Sequence, residues 1–170
     1  GRAMIVLEPG QLKQITDLAE AAYPRECCGL LVGEADEQHA TVWRVSRIEP
    51  SKNLAADGHN DRFEIDPRLR LRLQKELRPG PEAVIGVFHS HPDGPAQPSD
   101  TDLENAWEPE LIWLITAVVA GQATQTTAHR LVDQASRFEQ LAVRTTDWHA
   151  DSTRAPVELP PGLSASRQGQ

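Results

Sequence analysis

The sequence holds two cysteines in 170 residues, and they are neighbours, Cys27 and Cys28. A disulfide between adjacent residues is strained, so no disulfide framework is expected here. Unpaired thiols also suit a reducing compartment. Long apolar runs are missing. The longest, LIWLITAVVA from Leu111 to Ala120, is about half of what a membrane-spanning helix needs. No charged-then-apolar leader opens the sequence, and Gly1-Arg2-Ala3 ahead of Met4 read as the remnant of a cleaved tag. Together these absences set the expectation of a soluble, cytoplasmic protein with no membrane partner. Positive charge is scarce. The formal net charge is −8, and the densest basic stretch, Arg68-Leu69-Arg70-Leu71-Arg72, alternates with leucine. It reads as the solvated side of a helix. Such a chain gains no electrostatic attraction to phosphate backbones, which argues against nucleic acid as a partner.

What is present suits one domain and a tail. A hydrophobic content of 39% is enough for a core at this length. Leu12, Ile15, Leu18 and Ala22 fall at helical spacing behind Pro9, so the first helix is expected over 9–22. Strands are expected over 28–33, 41–48, 83–89, 111–119, 125–133 and 138–143, with a short one over 62–65. A second helix opens at Asp66-Pro67 and runs to about Leu77. A short one over 99–107 is capped by Ser99. The polar stretch 49–61 is a long loop of the kind that often serves function. From Thr145 the periodicity fades, and residues 145–170 are expected to be a disordered tail. Helices alternate with strands that are apolar on both faces, which implies a sheet covered on both sides.

The chemistry concentrates in Gly86 to Asp102, GVFHSHPDGPAQPSDTD. His89 and His91 are two apart at the end of a strand, so their rings point the same way. Pro92 and the prolines behind it turn the chain out of the sheet. It then returns to a helix start where Asp102 lies one turn from Ser99. Two imidazoles and a carboxylate leave one tetrahedral position open, the arrangement of a catalytic zinc site. Alone, a His-x-His pair usually means nothing, and Ser99 and Asp102 have bland readings as an N-cap and a helix-dipole carboxylate. The combined spacing is what argues for a metal.

That spacing, His89-Ser90-His91-Pro92-x6-Ser99-x-x-Asp102, resembles the motif of the JAMM (MPN+) zinc metalloproteases. The segment Tyr23-Pro-Arg-Glu26-Cys-Cys-Gly-Leu-Leu-Val-Gly33 is similar to the bacterial form of that family's upstream glutamate segment. The resemblance covers roughly Leu12 to Val143, within a domain bounded at 4–144. It implies a cytidine-deaminase-like three-layer α/β/α fold with a mixed central sheet. It implies zinc on His89, His91 and Asp102, Glu26 as the general base, and Ser99 as a hydrogen-bond donor to the oxyanion. It further implies hydrolysis of a peptide or isopeptide bond after the C-terminal tail of a ubiquitin-like protein. The run Asp93 to Trp107 is similar to the bacterial subgroup tuned to small sulfur carriers of the ThiS/MoaD type, some of which serve cysteine biosynthesis.

Rival readings remain. Glu34 and Glu37 compete with Glu26 on composition but follow the Gly33 turn and read as surface carboxylates. Cys27 and Cys28 invite a thiol role, although free cysteine is more often a small buried hydrophobe. His39, His59, His129 and His149 read as incidental. A zinc deaminase needs His-x-Glu and Pro-Cys-x-x-Cys, which are absent. A non-haem iron site uses a similar ligand set but on a fold with strands where helices are expected here. A cell-wall or phage-tail peptidase and a non-catalytic MPN scaffold complete the alternatives.

Overall fold

The computed structural model of the chain describes residues 3–36, 41–55 and 61–146. These run β1 (Met4–Leu7), α1 (Pro9–Ala22), β2 (Cys28–Ala35), β3 (Val42–Ser51), α2 (Pro67–Leu77), β4 (Ala83–Pro92), α3 (Asp100–Glu104), β5 (Ile112–Val119), β6 (Gln122–Val132) and β7 (Arg137–Thr145). Local chemistry sets the helix starts. The Gln11 side chain accepts from the Glu8 amide at 2.9 Å where α1 begins. Asp66 accepts from the Arg68 amide at 2.9 Å where α2 begins. Ile15 and Ala19 of α1, and Leu69 and Leu73 of α2, lie four apart and form each helix's buried stripe.

The sheet is mixed, as expected. The strand order is β1-β3-β2-β4-β5-β6-β7. Pairs β1–β3, β1–β7 and β4–β5 are parallel, and the rest are antiparallel. The expected three-layer arrangement needs one correction: the sheet does not stay open. Strand twist accumulates across it until β7 returns to β1, with Met4 opposite Ala142 and Leu7 opposite Thr145. One core cluster gathers Ile15 of α1 with residues from every strand, including Leu31, Phe88, Leu114 and Leu141. The alternate residues Leu30, Val32, Val87 and Trp113 face the other way and pack against Leu69 and Leu73 of α2. The two longer helices thus cover opposite faces of one closed sheet. Gly29 permits a close approach within it, because a Cβ there would meet the Phe88 ring at 2.3 Å.

Several boundaries differ from the sequence expectation. β1 is additional; four residues are too few to show a period. β3 continues to Ser51, so the loop starts later. Residues 62–65 make an isolated bridge, Asn53 to Ile65, in place of a strand. α3 stops at Glu104. β7 carries order through Thr145, while 147–170 and 1–2 lie outside the described residues. Among the described residues no helix is long and apolar enough to cross a membrane.

Candidate metal centre

β4 ends in the two histidines. His89 is paired across the sheet with Cys28, is fully buried, and shares its face with His91. Past Pro92, the chain crosses to α3. There Ser99 Oγ accepts from the Asp102 amide at 3.0 Å, and Asp102 Oδ2 accepts from the Ser99 amide at 2.9 Å. This reciprocal cap turns the Asp102 carboxylate back toward the strand. The Nε2 atoms of His89 and His91 lie 3.1 Å apart. Asp102 Oδ2 is 3.1 Å from His91 Nε2, and Oδ1 is 3.3 Å from His89 Nε2. A tetrahedral zinc with bonds of 2.0–2.1 Å separates its ligand atoms by about 3.3 Å. The three residues therefore fit a zinc ion. They also meet a general chemical test, two imidazoles and one carboxylate converging on one point.

The electrostatics agree with that set. Burial lowers the His89 pKa and outweighs the opposing pull of Asp102. For His91 burial also opposes the charge, but Asp102, the Pro95 carbonyl and Glu26 together win and raise it. Burial pushes the Asp102 carboxyl up, yet its hydrogen bonds to both histidines and to the Ser99 backbone hold it far below the usual carboxylate range. The orientation of His91 is fixed at its other nitrogen. Nδ1 lies 2.8 Å from the Pro95 carbonyl, which only accepts, so Nδ1 carries a proton, and with a metal bound Nε2 would present its lone pair to it. His89 is held differently. Its Nδ1 has no partner among the described residues, while Phe63 stacks on the ring at 4.3 Å and Trp113 meets it edge-on at 5.3 Å.

Glu26 sits beside this cluster. Ser90, the residue between the histidines, points to the opposite face and accepts from the Cys27 amide at 2.8 Å. Its own amide donates to the Cys27 carbonyl at 3.2 Å. Asn53 Nδ2 donates to the Glu26 carbonyl at 3.0 Å. These bonds deliver Glu26 to the edge of a cleft of about 210 Å³ lined with Asp61, His91, Gly94, Ser99 and Thr101. Glu26 is 5% exposed and its Oε1 has no partner among the described residues. Burial, reinforced by Asp102 and Asp61 and opposed by His91, pushes its carboxyl up to about 8. Ser99 faces the same cleft, and its hydroxyl proton is not needed for the cap. Of the rival carboxylates, Glu34 is exposed at the far end of β2, beside Arg44, and Glu37 lies outside the described residues, as do His39, His59 and His149.

Sequence reasoning missed the packing around the centre. Phe63, expected in a strand, is a loop residue over His89. Asn53 ties its loop with four hydrogen bonds: from Nδ2 to the Glu26 and Arg62 carbonyls, and to Oδ1 from the Ala55 and Glu64 amides. A second cavity of about 410 Å³ adjoins on the α2 face, lined by Phe63, Ile65, Val87, Trp107 and Trp113 among others. Trp107 at its rim is 80% exposed. The signal that was available is the aromatic content, since two of the four tryptophans and one of the three phenylalanines line this cavity.

Comparison with known proteins points the same way. The family described as prokaryotic homologs of the JAB domain matches residues 9–133. A desampylase from Haloferax volcanii is 32% identical over 92 residues, 54% of this chain and 62% of that protein. The aligned chain thus spans less than two thirds of that relative's length. A CysO-cysteine peptidase from Mycobacterium tuberculosis is 24% identical over 140 residues, 82% of this chain and 91% of that protein. The solution structure of a protein from Desulfitobacterium hafniense superposes with a TM-score of 0.71 at 30% identity, covering 85% of this chain and 94% of the other.

Proposed function

Because the chain belongs to the family of prokaryotic JAB-domain homologs, we propose that it is a zinc-dependent peptidase of the JAMM type. Its substrate is a small ubiquitin-like or sulfur-carrier protein, cleaved at a peptide or isopeptide bond after the C-terminal Gly-Gly. The observation that carries this reading is the convergence of His89, His91 and Asp102 on one point at a cleft that His91 lines together with Glu26, whose buried Oε1 has no partner among the described residues. Relatives named for the cleavage of such conjugates support the substrate class.

His89, His91 and Asp102 would hold the metal. When bound, zinc supplies Lewis acidity and makes hydroxide available near neutral pH. Glu26 takes the proton from the attacking water at Oε1. It then delivers that proton to the departing amine, the general base becoming the general acid. Ser99 donates its hydroxyl proton to the oxygen that gains charge as the carbonyl becomes tetrahedral. Phe63 and Trp113 keep bulk water from His89, which strengthens each of these contacts. The apolar cavity beside the centre suits a hydrophobic side chain of the carrier's extended tail. If the released amino acid is cysteine, the reaction would serve cysteine biosynthesis.

The test is turnover of a carrier ending in Gly-Gly fused to a short extension, read by mass spectrometry. Cleavage after the second glycine is expected, with loss on chelation and recovery on adding zinc. Cleavage indifferent to chelation would overturn the metal role. An inert protein with one zinc per chain would favour the scaffold reading.

A further inference from the structure

Thr127 and His129 on β6 are buried polar residues, 5% and 4% exposed, with no part in the chemistry above. Their strand positions are opposite Ile115 and Trp113, which places both on the face that carries His89 and His91. The Thr127 hydroxyl lies 2.5 Å from the Ala96 carbonyl, and it must donate there because a carbonyl only accepts. A hydroxyl has one proton. The contact from Thr127 Oγ1 to His129 Nε2 at 2.8 Å is therefore donated by the ring, and His129 is the Nε2–H tautomer. Burial pushes its pKa down to about 4, so the ring stays neutral. Ala96 itself is buried against Ile115 and Ala117.

Ala96 lies in the six-residue bridge between Pro92 and Ser99, which joins two metal ligands and has no helix or strand of its own. The preceding carbonyl, Pro95, is the one that receives Nδ1–H of His91. Consecutive carbonyls are thus held from two sides: Pro95 by a ligand, Ala96 by β6. The two carbonyls lie in adjacent peptide planes that meet at the Ala96 Cα, so anchoring one restricts where the other can point.

We propose that Thr127 and His129 are positioning residues for the metal centre. They fix the Ala96 carbonyl from β6, and through it they hold the Pro95 carbonyl against His91 Nδ1. That selects the tautomer in which His91 Nε2 is free to bind metal. The identity of the ion rests on the zinc reading above; the tautomer does not.

The experiment compares wild type, Thr127→Val, Thr127→Ser and His129→Phe. The His91 tautomer is read in metal-free protein from ring ¹⁵N shifts at alkaline pH, where the raised His91 is neutral, and zinc affinity by competition with a chromophoric chelator. Thr127→Val keeps the shape and removes the hydroxyl. It is expected to give a mixture of His91 tautomers and to weaken zinc binding about 10–100-fold, the usual effect of losing a partner behind a ligand. Thr127→Ser should restore both readouts. His129→Phe leaves the Thr127 hydroxyl but removes the N–H that orients it, so a weakening of under about 10-fold is expected. If Thr127→Val does not fold, His129→Phe against wild type decides. Wild-type tautomer and affinity in the folded variants, whatever their melting temperatures, would overturn the proposal and leave the pair as core packing. A wild-type protein that takes up no zinc would defeat the zinc reading, while the tautomer measurement would still decide this one.

Discussion

Replacing Glu26 with glutamine removes a charge and leaves the shape nearly unchanged. In metal-free protein, burial lifts this carboxyl from 4.5 to about 8. A carboxyl with a raised folded-state value holds its proton more tightly folded than unfolded. It imposes no charge penalty below about pH 4.5, and it destabilises the fold increasingly as pH rises from there to about 8. At about 1.4 kcal/mol per tenfold change in proton affinity, the ceiling is roughly 5 kcal/mol. Local relaxation and water entry reduce this to something on the order of 3 kcal/mol. Glutamine has no charge to bury. Its unpaired amide costs the same at every pH, so the readout is the slope. Relative to wild type, metal-free Glu26→Gln should gain roughly 6–12 °C in melting temperature between pH 4.5 and pH 8.5, at 2–4 °C per kcal/mol. A divalent cation beside the carboxylate favours the charged form, so saturating zinc should shrink the gain. The same zinc-loaded variant should lose about 10²–10⁴ in turnover. Thermal melts across the pH range, with zinc content and turnover on the same samples, make the check. Parallel melting profiles would refute the burial argument, and wild-type turnover by zinc-loaded variant would refute the general base.

Asp102→Asn keeps an oxygen for the Ser99 amide but loses the anionic ligand; zinc affinity should fall by at least about 100-fold, as measured by chelator competition. Ser99→Ala should cost about 1 kcal/mol as a lost helix cap and slow turnover about 10²–10³-fold, with the pH profile keeping its shape. Burial pushes the Cys27 and Cys28 thiols up to about 11 and 12. Less than about a thousandth of either is thiolate at pH 8, so iodoacetamide should label the native protein slowly and the denatured protein fast. Trp107→Ala at the cavity rim should raise KM for a carrier substrate about fivefold or more, the loss of one buried aromatic contact, with kcat preserved; an unchanged KM would remove that cavity from substrate binding.

The candidate metal ligands were legible because each obeys a local rule. His89 and His91 share a face through the two-residue strand period, and Asp102 is aimed by a cap visible as Ser-x-x-Asp. Glu26 obeys no such rule. The bonds that deliver it come from Ser90 and Asn53, 63 and 27 residues away in sequence from their partners, so only resemblance could nominate it. His129 looked incidental for the same reason. Its partner is a hydroxyl two residues back, and that hydroxyl's own acceptor is a backbone carbonyl 31 residues distant, which side-chain pattern does not encode. Closure of the sheet was also hidden, since it depends on four residues, Met4–Leu7, that are too short to carry a period. Phe63 shows the converse failure. Arg62 to Ile65 has strand-like composition, but the Asn53 side chain takes up the backbone groups around it and makes a cover for His89 instead.

The pairing of β1 with β7 joins residues about 138 positions apart, Met4 with Ala142. Loop closure of that length is entropically late, so the two ends of the sheet meet only after the rest has formed. Until then β3 and β7 each present an unpaired edge, the kind of surface on which chains associate edge to edge. Deleting Met4–Leu7 would make that exposure permanent on two strands at once. A shortened chain lacking β1 should therefore aggregate with its candidate metal ligands intact, and its insolubility would say nothing about the chemistry of the site.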